Sequence, residues 1–381
     1  MTQTEKQFME LLRAGLWGKP ADAELFKGSV DWKDILRIGS EQTVAVIAAD
    51  GMETLPKDLL PPKKAILKLM MLRVKTTQMH TLINKTIVQI VSALDKQGIS
   101  SALLKGQGIA QLYRNPESRT CGDIDLYTGE SGYRKAAEII ESMHGGRVHK
   151  EAIECAHHLH TSLNGIEVEI HRFADIMIGK KQNANFQKWT VESIDNHFGT
   201  GNLETWDNEG TAVTLPSPTF NAFFILQHAV RHMTTEGVGF RQICDWTMLL
   251  HKYHDQIDTE LLSKKLKEMH MEEVWKEFGI LAVTALGLPA EELPLAPACI
   301  KPNKKTEKIL KHIFISGNFG RHDINAKDRS ETTYFKRKWR SFRYQSLRLI
   351  KLFSLFPRYT ASYTWNWLSA AIVKVITRSD R

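Results

Sequence analysis

Apolar residues recur at three- and four-residue steps over much of the first hundred positions, the period of an amphipathic helix. Phe8, Leu11 and Leu12 form a first short amphipathic turn. The pattern is sustained longest over residues 63–97, through Ile66, Met70, Leu72, Met79, Leu82, Ile87, Ile90, Val91 and Leu94. It predicts one long helix that starts after Pro61-Pro62 and stops at Gly98, with Met70, Met71 and Met79 in the core. The period then changes. Residues 101–104 read as a short buried strand, 106–113 as a helix and 123–127 as a second strand. Residues 131–144 read as a helix with Ser131 as N-cap and Gly145-Gly146 as its stop. Two alternating runs, 157–163 and 166–172, flank Asn164-Gly165 and predict a hairpin. From Pro216 the helical period returns, over 219–233, 240–253, 259–286 and 306–315.

This layout predicts an α+β protein: a small mixed sheet with its helices, flanked by helical regions at both ends. The expected units are an N-terminal helical region (1–98), an α/β core (99–200), a C-terminal helical region (201–320) and a tail (321–381). Composition agrees with a folded chain, since 381 residues at 42% hydrophobic and 25% charged bury a sizeable core. Cys121, Cys155, Cys244 and Cys299 lie far apart with no CxxC pair, which argues against a disulfide framework or zinc finger and fits a reducing, cytoplasmic setting. The polar N-terminus has no apolar signal region, and no apolar run approaches the ~20 residues a spanning helix needs.

Charge alters the picture only once it is located. Residues 301–381 hold 19 Lys and Arg against 5 Asp and Glu, a net +14, which leaves the first 300 residues at −6. A reading of the whole chain as a basic nucleic-acid binder is therefore disfavoured. Within the tail, Phe335, Trp339, Phe342, Leu349, Phe353 and Phe356 recur at helical spacing among Lys336, Arg337, Lys338, Arg340, Arg343, Arg348 and Lys351. Three destinations stay open for residues 333–381: an anionic membrane surface, making the protein peripheral to the inner face of the membrane; packing on the acidic body or in an oligomer; or, least favoured, RNA.

The candidate chemistry centres on Asp123 and Asp125, two apart on a predicted strand and so on one face of it. Two such carboxylates suit Mg²⁺ or Mn²⁺, hard ions that keep phosphate oxygens among their ligands. Alone the spacing is common, but three neighbours strengthen it. Lys105 and Gly106 end the preceding strand, where a glycine lets backbone N–H groups approach a phosphate and the lysine adds a charge. Arg119 offers a bidentate phosphate contact, although a solvated loop charge would look the same. On the hairpin's second strand Glu167, Glu169 and His171 share a face, so Glu169 is a candidate third carboxylate, against the bland alternative of an exposed polar hairpin.

The run LLKGQGIAQLYRNPESRTCGDIDLYT, followed by IEVEIHRF, resembles the bacterial family described as uncharacterised nucleotidyltransferase, within the DNA polymerase β-like superfamily. Lys105, Gly106, Tyr113, Arg119, Asp123, Ile124, Asp125 and Leu126 match its first part, and Glu169, Ile170 and His171 its second. The resemblance extends over LQHAVRHMTTEGVGFRQICDWTMLL and covers roughly residues 60–300. It implies transfer of a nucleoside monophosphate from an NTP to an acceptor with Mg²⁺. Asp123, Asp125 and Glu169 would hold the metal, Lys105, Gly106 and Arg119 the triphosphate, and His171, His228 and Arg241 the acceptor. Two departures stand out: Lys-Gly replaces the superfamily's usual Gly-Ser, and Glu169 stands where Asp is expected.

Other residues have plainer expectations. Arg241 and Asp245 read as an i,i+4 helix-surface ion pair. His228 and His232 share a helix face without a third metal ligand in view, which favours packing or substrate contact. His158 and His160 fall on one strand face, and a transition-metal site there needs a further ligand from elsewhere. Cys121 has no partner set for a thiol nucleophile. Two rival classes remain: a glycosyltransferase using Asp-x-Asp to hold a nucleotide sugar, and a non-catalytic nucleotide- or partner-binding module.

Overall fold

The computed structural model describes residues 1–148, 158–177, 179–235, 237–318 and, in the tail, 343, 346, 349–350, 352–361 and 364. The chain opens with α1 (Gln3–Trp17), α2 (Trp32–Glu41), α3 (Ala45–Met52) and the long α4 (Lys63–Lys96). The mixed region follows as β1 (Ala102–Leu103), α5 (Gln107–Ala110), β2 (Asp123–Tyr127), α6 (Gly129–Ser142), β3 (Arg147–Val148), β4 (His158–Leu163) and β5 (Ile166–His171). Then come α7 (Lys180–Ser193), β6 (Glu204–Asn208), β7 (Thr211–Leu215), α8 (Pro218–Thr235) and α9 (Phe240–Tyr253). The described body ends with α10 (Thr259–Glu268), α11 (Glu272–Leu286) and α12 (Lys304–Ser316). The α+β class expected from the pattern is the one found.

The five-stranded sheet has the order β1-β2-β5-β4-β3, with β2 and β5 parallel and the other pairs antiparallel. One face is apolar. Ile124, Leu126, Leu159, Leu163, Ile166, Val168 and Ile170 bury against Ile83, Ile87, Ile90, Val91 and Leu94 of α4 and Tyr133, Ala136, Ala137 and Ile140 of α6. Each such aliphatic side chain contributes about 1.5–3 kcal/mol. Because strands alternate, burying that face turns Asp123, Asp125, Glu167, Glu169 and His171 to the other. A second core gathers α1, α3, α7, α8, α9 and α11, with Phe8, Phe186, Trp189, Phe220, Phe223 and Trp246 among its largest buried side chains.

Several local expectations need correction. Met70 and Met71 are 58% and 74% exposed, not core, because the sheet underlies only the second half of α4, where the buried stripe begins at Ile83. Ser131 is not an N-cap: Gly129 at φ 68° turns the chain directly from β2 into α6. The helix expected over 106–113 is a single turn. The one over 259–286 breaks at His270, whose φ of 58° lets Met269 and Met271 both bury completely. The β6–β7 hairpin and α7 carried no clear period; Val213 and Leu215 pack on the sheet's core, Phe186 and Trp189 in the helical one.

Part of the tail stripe lies outside the described residues, Phe335, Trp339 and Phe342 among them. Of the rest, Leu349, Leu352, Leu355, Phe356 and Tyr359 are buried, and Phe356 stacks on Phe278 at 6.2 Å. Phe353, expected on the same stripe, is exposed. This stretch packs on the body. Among the described residues no helix is long and apolar enough to cross a membrane.

Candidate active site

Strand register builds the site. On β2 and β5, Asp123 lies opposite Glu167, Asp125 opposite Glu169 and Tyr127 opposite His171. On β4 and β5, His158 lies opposite His171 and His160 opposite Glu169. Two carboxylates of β2, two of β5 and three imidazoles thus share the face turned from the apolar core. The hairpin that sets this register turns at Asn164-Gly165, with φ of 55° and 77°, as the Asn-Gly pair predicted.

Asp125 is the most crowded member. It is 4% exposed, its Oδ1 lies 2.9 Å from Lys105 Nζ and 3.0 Å from His171 Nε2, and Glu169 Oε2 lies 3.4 Å from the same imidazole nitrogen. Burial alone would raise its pKa, but the Lys105 charge and the His171 hydrogen bond hold the carboxyl well below the usual range. Glu169 is lowered too, burial being outweighed by the His171 hydrogen bond. Asp123 moves the other way: burial and then the Asp125 charge raise it, while Arg241 and Lys105 partly offset them. His171 is raised, because Asp125 and Glu169 outweigh the opposing effect of burial. Asp123, Asp125 and Glu169 thus share one face of two adjacent parallel strands, where Lys105, His171 and, for Asp123, Arg241 act on their charge. An all-oxygen set of this kind fits Mg²⁺ or Mn²⁺.

Lys105 also reaches His228 Nε2 at 3.3 Å, and His232 Nε2 lies 3.0 Å from that same atom. Lysine only donates, so His228 accepts; burial and then the Lys105 charge push its pKa well down. Behind it Asp175, 1% exposed, pairs with Arg231 at 2.7 Å, a pair that no period or motif announces. Gly106 has φ 57° and ψ −118°, and a Cβ there would sit 3.4 Å from the Asp123 carbonyl oxygen. The α5 turn that follows is too short for a developed helix dipole, so the anion-favouring helix start expected after Gly106 is absent there.

Arg119 differs most from expectation. Its guanidinium is buried and bidentate on Asp245, with Nε–Oδ1 and Nη2–Oδ2 both 2.7 Å, and Tyr113 Oη donates to Oδ1 at 2.7 Å. Nη1 donates to Cys121 Sγ at 2.8 Å. The donors meant for a phosphate are taken up within the fold. Asp245, read as a surface partner of Arg241, instead anchors the loop before β2. His80 Nε2, 2.6 Å from the Arg119 carbonyl, and Gln107 Oε1, which accepts from Cys121 Sγ at 3.1 Å, hold the same loop. Burial pushes the Cys121 thiol up, which agrees with its having no nucleophilic role. Arg241 donates to the Thr120 carbonyl at 3.2 Å and lies near enough to Asp123 to lower its pKa. His160 Nδ1 is 3.0 Å from Glu167 Oε1 and its Nε2 is 2.9 Å from His158 Nε2; burial lowers His158 to about 4.

The fold and this face define an α+β protein with acidic and imidazole groups gathered on one side of a mixed sheet. The family model described as uncharacterised nucleotidyltransferase matches residues 28–287, and the chain belongs to that family. Its general activity is therefore that of a nucleotidyltransferase, and a nucleotide is its substrate. No curated protein and no solved structure matches the chain.

Proposed function

We propose that the protein transfers a nucleoside monophosphate from an NTP to an acceptor hydroxyl, with Mg²⁺ or Mn²⁺ held by Asp123, Asp125 and Glu169. The observation that carries this is the parallel register that sets Glu169 beside Asp125 on the face bearing Asp123. An ion held there would supply positive charge to offset what develops on the phosphates. Lys105 neutralises the triphosphate, leaving its present contact with Asp125 when a cation takes that carboxylate over. Gly106 lets the backbone come close to a phosphate, and Arg241 and His228 face the acceptor. In the transfer the acceptor oxygen bonds to the α-phosphorus, the bond to the bridging oxygen breaks, diphosphate leaves, and Glu169 takes the hydroxyl proton. Arg119 is a positioning residue in this scheme, fixing the strand that carries the acidic pair. A membrane-facing role for Lys336, Arg337, Lys338 and Arg340, which lie outside the described residues, is compatible with this chemistry and adds nothing to it.

The test is calorimetry and turnover with labelled NTPs. Mg²⁺-dependent NTP binding and diphosphate release that vanish in Asp125→Asn are expected. Turnover with nucleotide sugars alone would overturn the proposal in favour of a glycosyltransferase. Absence of Mg²⁺-dependent NTP binding would overturn it in favour of a non-catalytic module.

A further inference from the structure

The imidazoles on β4 and β5 exceed what a nucleotidyl-transfer site needs. His158 Nε2 lies 3.7 Å from Glu169 Oε2, and His171 Nε2 lies 3.4 Å from the same oxygen. The three ligand atoms lie within 4.8 Å of one another. Cross-strand register, not chance side-chain reach, produces this, since His158 and His171 are direct partners and Glu169 is two residues along the same strand. His171 is also aimed as a metal-binding imidazole is. Its Nδ1 lies 3.3 Å from the Phe173 carbonyl, an acceptor that orients the ring and turns Nε2 toward the carboxylates. That nitrogen lies 3.0 Å from Asp125 Oδ1 and 3.4 Å from Glu169 Oε2, so an ion bound there would take the place of its proton beside two carboxylates.

We propose that His158, Glu169 and His171 form a two-histidine, one-carboxylate site for a first-row transition-metal ion, additional to the Mg²⁺ assigned to the acidic pair. Imidazole nitrogen favours Zn²⁺, Fe²⁺, Ni²⁺ or Cu²⁺ over Mg²⁺, which takes oxygen ligands and holds its waters. Glu169 is common to the two proposed ligand sets. His160, whose Nε2 is 2.9 Å from His158 Nε2, lies at the edge of the set and gives up that contact when His158 ligates an ion. A closure of these atoms to the roughly 2.0–2.2 Å distances of nitrogen and oxygen ligation needs only side-chain movement on a fixed strand pair. The assignment stands on ligand geometry and does not depend on nucleotidyl transfer.

Chelator-treated full-length protein titrated with Co²⁺ in excess Mg²⁺ tests this. One equivalent of Co²⁺ is expected to bind with visible bands of a nitrogen-containing ligand set. His158→Ala is expected to weaken it at least about tenfold, while Asp123→Asn leaves it in place. Pulsed electron paramagnetic resonance of Cu²⁺-loaded wild type needs no variant and is expected to show coordinated imidazole nitrogen. Displacement of Co²⁺ by Mg²⁺, oxygen-only coordination, or equal binding by His158→Ala would each overturn the proposal. Nitrogen-ligated Co²⁺ without Mg²⁺-dependent NTP binding would overturn the nucleotidyl-transfer reading alone. NTP binding without nitrogen-ligated Co²⁺ would overturn the second site alone.

Discussion

The segment from Arg119 to Asp125 carries a buried charge cluster at each end, and the two are built on opposite plans. At the Arg119 end, one guanidinium meets one carboxylate in a bidentate pair, and Tyr113 and Cys121 take up the remaining hydrogen-bonding capacity. At the Asp125 end, three carboxylates share Lys105 and His171, and their pKa values are driven apart, Asp123 up and Asp125 down. The first cluster is complete as folded. The second holds more carboxylates than cationic partners, the arrangement on which the proposed cation site rests. Both are buried and both were visible as charged residues in the sequence; only partner geometry separates the structural one from the chemical one.

The sharpest way to break this contrast is to unbalance the closed cluster. Asp245→Ala strands a buried guanidinium and is expected to cost about 3–5 kcal/mol in urea unfolding. Arg119→Met combined with Asp245→Leu removes both charges and is expected to recover most of that loss. A single variant that loses under ~1 kcal/mol would mean the pair is not structural.

The open cluster is expected to respond in the reverse sense. Asp123→Asn leaves stability unchanged or higher, yet lowers Mg²⁺-dependent turnover by about 10²–10³-fold, the range seen when one preorganised transition-state contact is lost. The pH dependence has a definite sign. Asp123 is raised in the fold, so the folded protein holds its proton more tightly than the unfolded chain. Stability from this group is present below the ordinary Asp value near 4 and lost as pH climbs through the folded value. Asp125 and Glu169, both lowered, contribute the opposite slope, lost as pH falls. The stability difference between Asp123→Asn and wild type isolates the first effect: it should grow in the variant's favour as pH rises from about 4, and shrink when Mg²⁺ is added. A pH-independent difference would show that Asp123 is not crowded.

A third measurement bears on the departure at position 169. Glu169→Asp withdraws the carboxylate by one methylene from a site whose partners have adjusted to Glu. Misplacement of this order, ~1 Å, costs on the order of 10²-fold in turnover. Faster turnover in the variant would mean that the native Glu is the misfit.

The sequence made the open cluster legible and hid the closed one, for a physical reason. Asp123, Asp125, Glu169 and His171 lie on strands, where period-two alternation and an Asn-Gly turn determine which side chains share a face. Arg119, Tyr113 and Asp245 come from a loop, the stretch just after a one-turn helix and a long helix more than a hundred residues on. No local period brings those together. The same limit explains Met70 and Met71, whose helical spacing was right but which fall on the exposed side of a stretch of α4 where Leu69 is the buried residue. It also explains Asp175 and Arg231, which meet across two segments of unrelated period.

Gly106 joins the two clusters, and its replacement is the finest of these tests. Lys105 before it contacts Asp125, while Gln107 after it accepts from Cys121 and donates to Asn84 at 2.7 Å, so the residue lies between chemistry and clamp. With φ 57° and ψ −118° it occupies a conformation that L side chains rarely adopt. Gly106→Ala is expected to cost about 1–2 kcal/mol in stability, as strained backbone does. Relief of that strain would rotate Lys105 or Gln107 out of place. If Lys105 moves, NTP affinity falls and the urea midpoint barely shifts further. If Gln107 moves, the loop before β2 loosens, and amide exchange at Thr120 and Cys121 accelerates while NTP affinity holds. Affinity and exchange measured on the same variant therefore report which cluster the glycine serves, and a variant unchanged in both would show that the two clusters are not coupled through this turn.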